Sequence, residues 1–259
     1  MAHGQTGRQS GHMFPFFDVR GRWGKRPEDA AALAQRLGRF IGSLASIHPR
    51  FQSWEREGMR SRSTVPRLIT QPSDTKELQT WLEENRAFGV HDGHKAHIGY
   101  NVRAGIRGIE NEFASFDLSC AAGTADYPYG NRIDTTIECA GVARSVRFGL
   151  ARSVLLTLAE VWQADWAGVS SGDFRAAQCD QHDPAASYLR YHSGWMVYID
   201  ANLSGGLKEP EDIAIERLAN GAMILTATKE AFDRESPVHN AAARRIQAAL
   251  EPINRISGA

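Results

Sequence analysis

Ala114-Ser115-Phe116-Asp117-Leu118-Ser119-Cys120 and, further on, Ile133-Asp134-Thr135-Thr136-Ile137-Glu138-Cys139 alternate apolar and polar side chains residue by residue. Successive side chains of a strand point to opposite faces, so this period of two puts Phe116, Leu118 and Cys120 on one side and the charged residues on the other. Ile98, Tyr100 and Val102 repeat the pattern upstream. Half-buried strands that follow one another in this way form an antiparallel meander. Asp126-Tyr127-Pro128-Tyr129-Gly130-Asn131 has the composition of the turn between the second and third strands.

Upstream, 14–21 reads as a first strand. Pro27 fits the first turn of a helix, and Glu28 and Asp29 suit its positive end. Leu33, Leu37, Ile41 and Leu44 then form a stripe at helical spacing, widened by Phe40 and Ile47 and ended by His48-Pro49. A short helix is expected at 51–57 and a polar, basic connector at 60–72. Asp74, with Glu77 three residues later, opens a helix carrying Leu78, Trp81 and Leu82.

Downstream, a long helix is expected at 142–162 with Val146, Leu150, Val154, Leu158 and Val161 inward. A polar loop at 174–193 precedes a strand at 195–203 that is apolar on both faces and therefore central. Residues 209–218 read as helical, 223–226 as a buried strand, and Ser236-Pro237 as the start of a last helix. Val238, Ala242, Ile246, Leu250 and Ile253 are its inward positions. No repeat or linker divides the chain. Residues 1–12 read as a disordered tail, and 13–256 as one α+β domain with packed helices on a mainly antiparallel central sheet.

Composition narrows the function. The chain has 259 residues, with Lys+Arg and Asp+Glu at 30 each, so its net charge is zero. A dedicated nucleic-acid binder carries a basic excess, so direct nucleic-acid binding is not expected. No stretch reaches the ~20 apolar residues of a membrane helix. The start of the chain lacks the apolar core of a secretory signal, and Cys120, Cys139 and Cys179 cannot all pair, which points to reduced thiols in a cytoplasm.

Motifs for chemistry are thin. Gly168-Val169-Ser170-Ser171-Gly172 matches the nucleophile-elbow pattern, and Asp200, Asp212 or Asp233 followed by His239 completes a hydrolase order. An elbow needs a buried strand before the serine and a helix after it; only a few residues separate Ser170 from the helix ending near Trp162. A small serine hydrolase using Ser170 and His239 is the alternative reading, with loop serine the plainer one. His91, His94 and His97 are the right type for zinc but lack paired ligand spacing, and Cys179 with His182 is equally sparse. No metal, cofactor or nucleotide loop is expected.

Trp54, Trp81, Tyr127 and Tyr129 are the aromatics that periodicity does not bury, and large aromatics make good interface anchors. Glu209, Glu211 and Asp212, with Glu216, are the densest acidic cluster, suited to steering a basic partner. The competing reading of Trp54 and Trp81 is as core residues.

Several aromatic-marked segments recur in a fixed order. They are Trp23-Gly24, Ile47-His48-Pro49-Arg50-Phe51 with Trp54, the Tyr127–Asn131 turn, Trp162 to Trp166, Gly194-Trp195, and Met223 to Phe232. In that order, before a closing helix ending Ala249-Leu250-Glu251-Pro252, they resemble the immunity protein 52 family of bacterial polymorphic toxin systems. The resemblance implies an α+β protein that is not an enzyme. It implies binding to a cognate toxin with a restriction-endonuclease-like nuclease domain, often delivered by type VI secretion. It brings no catalytic residues. On this reading Trp54, Trp81, Tyr127, Tyr129, Glu209, Glu211 and Asp212 are the candidate toxin contacts.

Overall fold

The computed structural model describes residues 16–57, 67–69, 73–91, 94–106, 115–124, 131–138, 142–171, 191–233 and 235–256. The tail expected at 1–12 lies outside them. The first half of the chain supplies β1 (Phe16–Trp23), α1 (Ala30–Ile47), a 3-10 turn (Pro49–Gln52), β2 (Trp54–Glu57) and β3 (Arg67–Ile69). It continues with α2 (Thr75–Glu84), β4 (Arg86–His91), β5 (His94–Ile106) and β6 (Ser115–Ala122). The second half supplies β7 (Asn131–Glu138), α3 (Arg144–Trp162), β8 (Trp166–Ser170), β9 (Met196–Ile199) and the short α4 (Ala201–Ser204). β10 (Ala214–Arg217), β11 (Met223–Thr226) and α5 (Pro237–Ile256) complete it.

The strands form one sheet in the order β10-β11-β9-β8-β1-β7-β6-β5-β2-β3. The pairings are antiparallel, and β5, β6 and β7 form the expected meander. β5 is long enough to take two partners on one edge: β4 pairs along its first half and β2 along its second. An irregularity in the β4–β5 ladder falls at Gly99, whose φ of +113° and close approach to the Ala122 carbonyl exclude a side chain.

The sheet is sandwiched unevenly. On one face, α1, α2 and α3 bury Val19, Phe116, Leu118, Ile133, Ile137, Val169 and Met196 in a single core. On the other, α5 packs Ile246, Leu250 and Ile253 on Trp166, Val197, Ile199 and Leu225, so it covers the β8-β9-β11 end. Strands under two helical layers are apolar on both faces, and β8, β9 and β11 are buried throughout. Strands with one covered face keep the alternation, as in β6 and β7.

Helix ends follow local chemistry. Asp29 caps α1 by accepting from the Ala32 amide at 2.8 Å, so Pro27 and Glu28 precede the helix rather than open it. Asp74 caps α2 through the amides of Lys76 and Glu77, while the Glu77 carboxylate pairs with Arg56 at 2.7 Å.

Other expectations are corrected. The segment 51–57 is a 3-10 turn and a strand, because Phe51 and Trp54 both turn into the core against Phe116. A third strand, β3, lies within the expected connector. The expected helix at 209–218 contains β10, an edge strand paired to β11. The strand expected at 195–203 ends at Ile199, where Asp200 caps α4. Val146 and Val238 are 57% and 74% exposed, each in the first turn of its helix. Pro252 lies inside α5, which runs on to Ile256.

Candidate functional site

The aromatic-marked segments meet as structural joints. Trp23 stacks on Trp162, Phe40 meets Trp162 edge-on, and Trp195 packs against Phe17 and Phe148. Trp54 donates from Nε1 to the Phe51 carbonyl at 2.9 Å. Asn131, fully buried, donates through Nδ2 to the carbonyls of Gly24 (2.6 Å) and Thr124 (3.1 Å) and accepts from the Thr124 amide at 3.1 Å. Arg26 and Arg36 close the end of α3: they donate to the carbonyls of Trp162 (2.8 Å) and Val161 (2.7 Å), and Glu28 pairs with both. Helix carbonyls at a C-terminus lack intrahelical partners, so these two guanidiniums satisfy them.

The candidate contacts divide. Trp54 is completely buried and Trp81 is 2% exposed, so both leave the set of surface anchors. Trp54 is held against Phe116, and Trp81 lies on the buried side of α2 with Leu78 and Leu82. Tyr127 and Tyr129 lie outside the described residues. Glu209, Glu211 and Asp212 are exposed beside the β10 edge. Glu209 forms an ion pair with Arg217, and Glu216 pairs with Arg152 of α3 at 2.6 Å. Asp212 has a φ of 58°, a left-handed conformation that Asp and Asn tolerate better than other side chains.

Ser170 and His239, the pair of the hydrolase reading, share no hydrogen bond among the described residues. A buried strand does precede Ser170, contrary to the expectation from spacing, because β8 starts only four residues after α3 ends. Ser170 is nevertheless roofed: a side chain at Gly194 would lie 2.9 Å from Ser170 Cβ and 2.2 Å from the Val169 carbonyl. The His239 Nδ1 accepts from the Asp233 amide at 3.0 Å, and its ring packs on Phe232.

His91 and His94 end the two strands of the β4–β5 hairpin and pair in register. His97 is exposed and rests its ring against Tyr100 and Phe88. Among the described residues no group of His, Cys, Asp or Glu has the arrangement of a metal site. Cys120 is buried, and burial pushes its thiol pKa upward, away from reactivity. Cys139 and Cys179 lie outside the described residues. No described helix is long and apolar enough to cross a membrane.

Sequence reasoning missed a charged face. On the side of the sheet opposite α1, the polar phase of β1, β7, β6 and β5 carries Arg20, Arg22, Arg132, Asp134 and Arg103, and no described helix covers it. Asp134 accepts from Arg22 at 3.0 Å and lies 3.6 Å from Arg132 and 3.8 Å from Arg20. Asp18, under 10% exposed, takes Arg20 at 3.1 Å and the Thr136 hydroxyl at 2.7 Å. Burial lowers the Arg22 pKa, partly offset by Asp134. The signal was present in the alternation itself: Arg20-Gly21-Arg22 and Arg132-Ile133-Asp134 place charges at every second position of neighbouring strands.

No curated protein matches the chain. Among solved structures, the Pseudomonas aeruginosa T6SS protein PA0821 has a similar fold, with a TM-score of 0.50 at 10% identity. The match covers 93% of this chain and 76% of that one. The sequence pattern of immunity protein 52 matches residues 17–257, spanning all eleven strands and the five helices described above. The chain belongs to the immunity protein 52 family.

Proposed function

We propose that this chain is an immunity protein that binds and neutralises a cognate secreted bacterial nuclease toxin in the cytoplasm of the cell that makes it. The observation that carries this reading is the family match along 17–257. The structure agrees with it in kind: the aromatic joints are used for packing, and the acidic cluster of Glu209, Glu211 and Asp212 lies on open surface. Inhibition by binding needs such a surface and no reaction. The toxin would carry a restriction-endonuclease-like domain, and a fold shared with a T6SS protein agrees with delivery by type VI secretion.

A stable complex buries about 1,600 Å² in total, and silencing a lethal enzyme at low concentration calls for a nanomolar Kd, about −12 kcal/mol. Glu209, Glu211 and Asp212 are proposed to meet a basic part of the toxin, and Tyr127 and Tyr129 to supply rigid aromatic contacts. Binding would occlude the nuclease cleft or block a surface the toxin needs for assembly. Co-expression with the toxin encoded beside its gene, in a sensitive bacterium, tests the reading. Rescue of growth is expected; death at the rate of the toxin alone would overturn it.

A further inference from the structure

We infer that the toxin is held by strand addition: an extended segment of it, alternating apolar and cationic side chains, pairs with the open edge of β10. The inference deepens the immunity reading above and rests on it. β10 ends the strand order, with β11 on one side and no described strand on the other.

The hairpin turn between β10 and β11 determines which backbone groups face outward. The Leu218 amide donates to the Ala222 carbonyl at 2.8 Å, and the amide of Gly221, at a φ of +85°, donates to the Leu218 carbonyl at 2.9 Å. These are the bonds of a three-residue loop closed by a bulged glycine, so Leu218 and Ala222 are a hydrogen-bonded pair. Antiparallel pairs alternate between bonded and non-bonded. With Glu216 opposite Ile224 and Ala214 opposite Thr226, those two residues continue the bonded set. Ile215 and Arg217 therefore turn their N–H and C=O groups away from β11, and no described backbone group pairs with them. Such a row of groups is what an added strand binds.

Side chains give the added segment its character. Ile213 and Ile215, half-buried, carry the second core out to the rim of the sheet with Leu207, while Leu218, in the opposite phase, packs on the first core. An apolar side chain beside Ile215 would complete that rim. On the other face Ala214 is exposed and Glu216 is held by Arg152. Glu209 is held by Arg217, whereas Glu211 and Asp212, in the turn that leads into β10, have no ion-pair partner among the described residues. An incoming cation answers them. A second copy does not: laid antiparallel about Ile215, it sets Leu218 beside Asp212 and Ala219 beside Glu211. A short, charged edge also discourages pairing with an arbitrary strand, so the match has to come from the partner's side chains.

The full-length chain and the toxin encoded beside its gene supply the test. Residue-resolved hydrogen exchange reads the edge directly: on binding, the amides of Ile215 and Arg217 should slow by at least about 10-fold. Those of Ala214 and Glu216, already bonded to β11, serve as internal references. Arg217→Pro and Arg217→Ala then separate backbone from side chain. Both lose the pair with Glu209, but only proline removes an outward N–H, a loss that an edge strand tolerates. The proline variant should bind at least about 10-fold more weakly than the alanine variant, with melts showing both folded. If proline unfolds the hairpin, the exchange result stands as the test. Unchanged exchange at both amides in a tight complex overturns the edge and leaves the immunity reading standing. Equal Kd values for the two folded variants overturn it too, since contact then runs through side chains alone. Slow exchange at these amides in the free chain at high concentration gives the edge to a second copy and overturns the toxin as its occupant. A wild-type chain that neither binds nor protects overturns both readings.

Discussion

Trp23 at the end of β1 and Trp162 at the end of α3 stack with ring centroids 5.2 Å apart and planes 25° from parallel. Among the described residues their buried indole nitrogens have no hydrogen-bond partner, so the pair acts through area, shape and the Arg26 guanidinium 5.0 Å over the Trp23 ring. Trp162→Ala should therefore destabilise the fold by about 3–5 kcal/mol. Trp162→Phe, which keeps a ring and loses no hydrogen bond, should cost less than half of that. Urea denaturation of both variants checks the ratio.

Asn131 is satisfied on both sides of its amide by the backbone of Thr124 and the carbonyl of Gly24. Removing it takes a donor from the Gly24 carbonyl and one from the Thr124 carbonyl, which keeps the Arg26 amide, and Asn131→Ala should cost about 1–3 kcal/mol. Asn131→Asp has nearly the same shape but turns the donor into an acceptor facing two carbonyl oxygens. It should cost at least as much as the alanine, which a melt at neutral pH reads directly. An aspartate variant as stable as wild type would rule out this hydrogen-bond account.

Arg36 spans two duties, donating to the Val161 carbonyl and pairing with Glu28 at 2.8 Å. Arg36→Ala should cost about 1.5–3 kcal/mol, because a charge-assisted bond is lost and a largely buried Glu28 keeps only Arg26. Arg36→Lys should recover only part, since one ammonium cannot reproduce the fork. Hydrogen exchange should show the loss first at the amides of Gln163 and Ala164, which close the end of α3.

Alkaline pH should weaken the fold in two stages. Burial raises the pKa of the Cys120 thiol, and it also raises those of Tyr100 and Tyr198. A raised folded pKa leaves stability intact below the unfolded value and removes it as pH rises toward the folded one. Stability should thus decline above about pH 8.5, where an unfolded thiol ionises, and more steeply above about pH 10, where tyrosine joins it. Cys120→Ala should abolish the first stage and leave the second. Urea titrations at several alkaline pH values separate them.

Neutralising the β10-edge acids tests the contacts proposed there. Glu211→Gln with Asp212→Asn removes charge while respecting the left-handed backbone at Asp212. Association with the toxin should slow several-fold at low salt and little at high salt, with dissociation nearly unchanged. Stopped-flow mixing at two ionic strengths reads both rates.

The meander was legible because one face of β6 and β7 is wet, so the alternation survives in the residues. β9 was legible as central for the opposite reason, since a strand between two helical layers is apolar throughout. β10 was misread because Ile213 and Ile215 pack against the second core from a short edge strand, and a four-residue element gives no room for a period to declare itself. Val146 and Val238 fit their helical stripes by spacing, yet each occupies a first turn that periodicity extends inward without limit. Trp54 and Trp81 could not be placed because burial of a lone aromatic depends on partners distant in the chain, Phe116 being one. The charged face escaped notice because each strand contributes at most three charges of mixed sign to it, and their arrangement exists only once the strands are in register.

The first strand of the chain is not at the edge of the sheet but inside it, between β7 and β8. Residues 16–23 therefore wait during synthesis for partners more than a hundred positions downstream, and such distant pairing is slow to form. A ribosome that has not yet passed Glu138 holds this strand with neither neighbour complete, and one that has not passed Ser170 holds it with β7 alone. On the reading proposed above, a chain stopped short of Ser170 should give no protection, because its first strand then lacks one of the two neighbours that hold it.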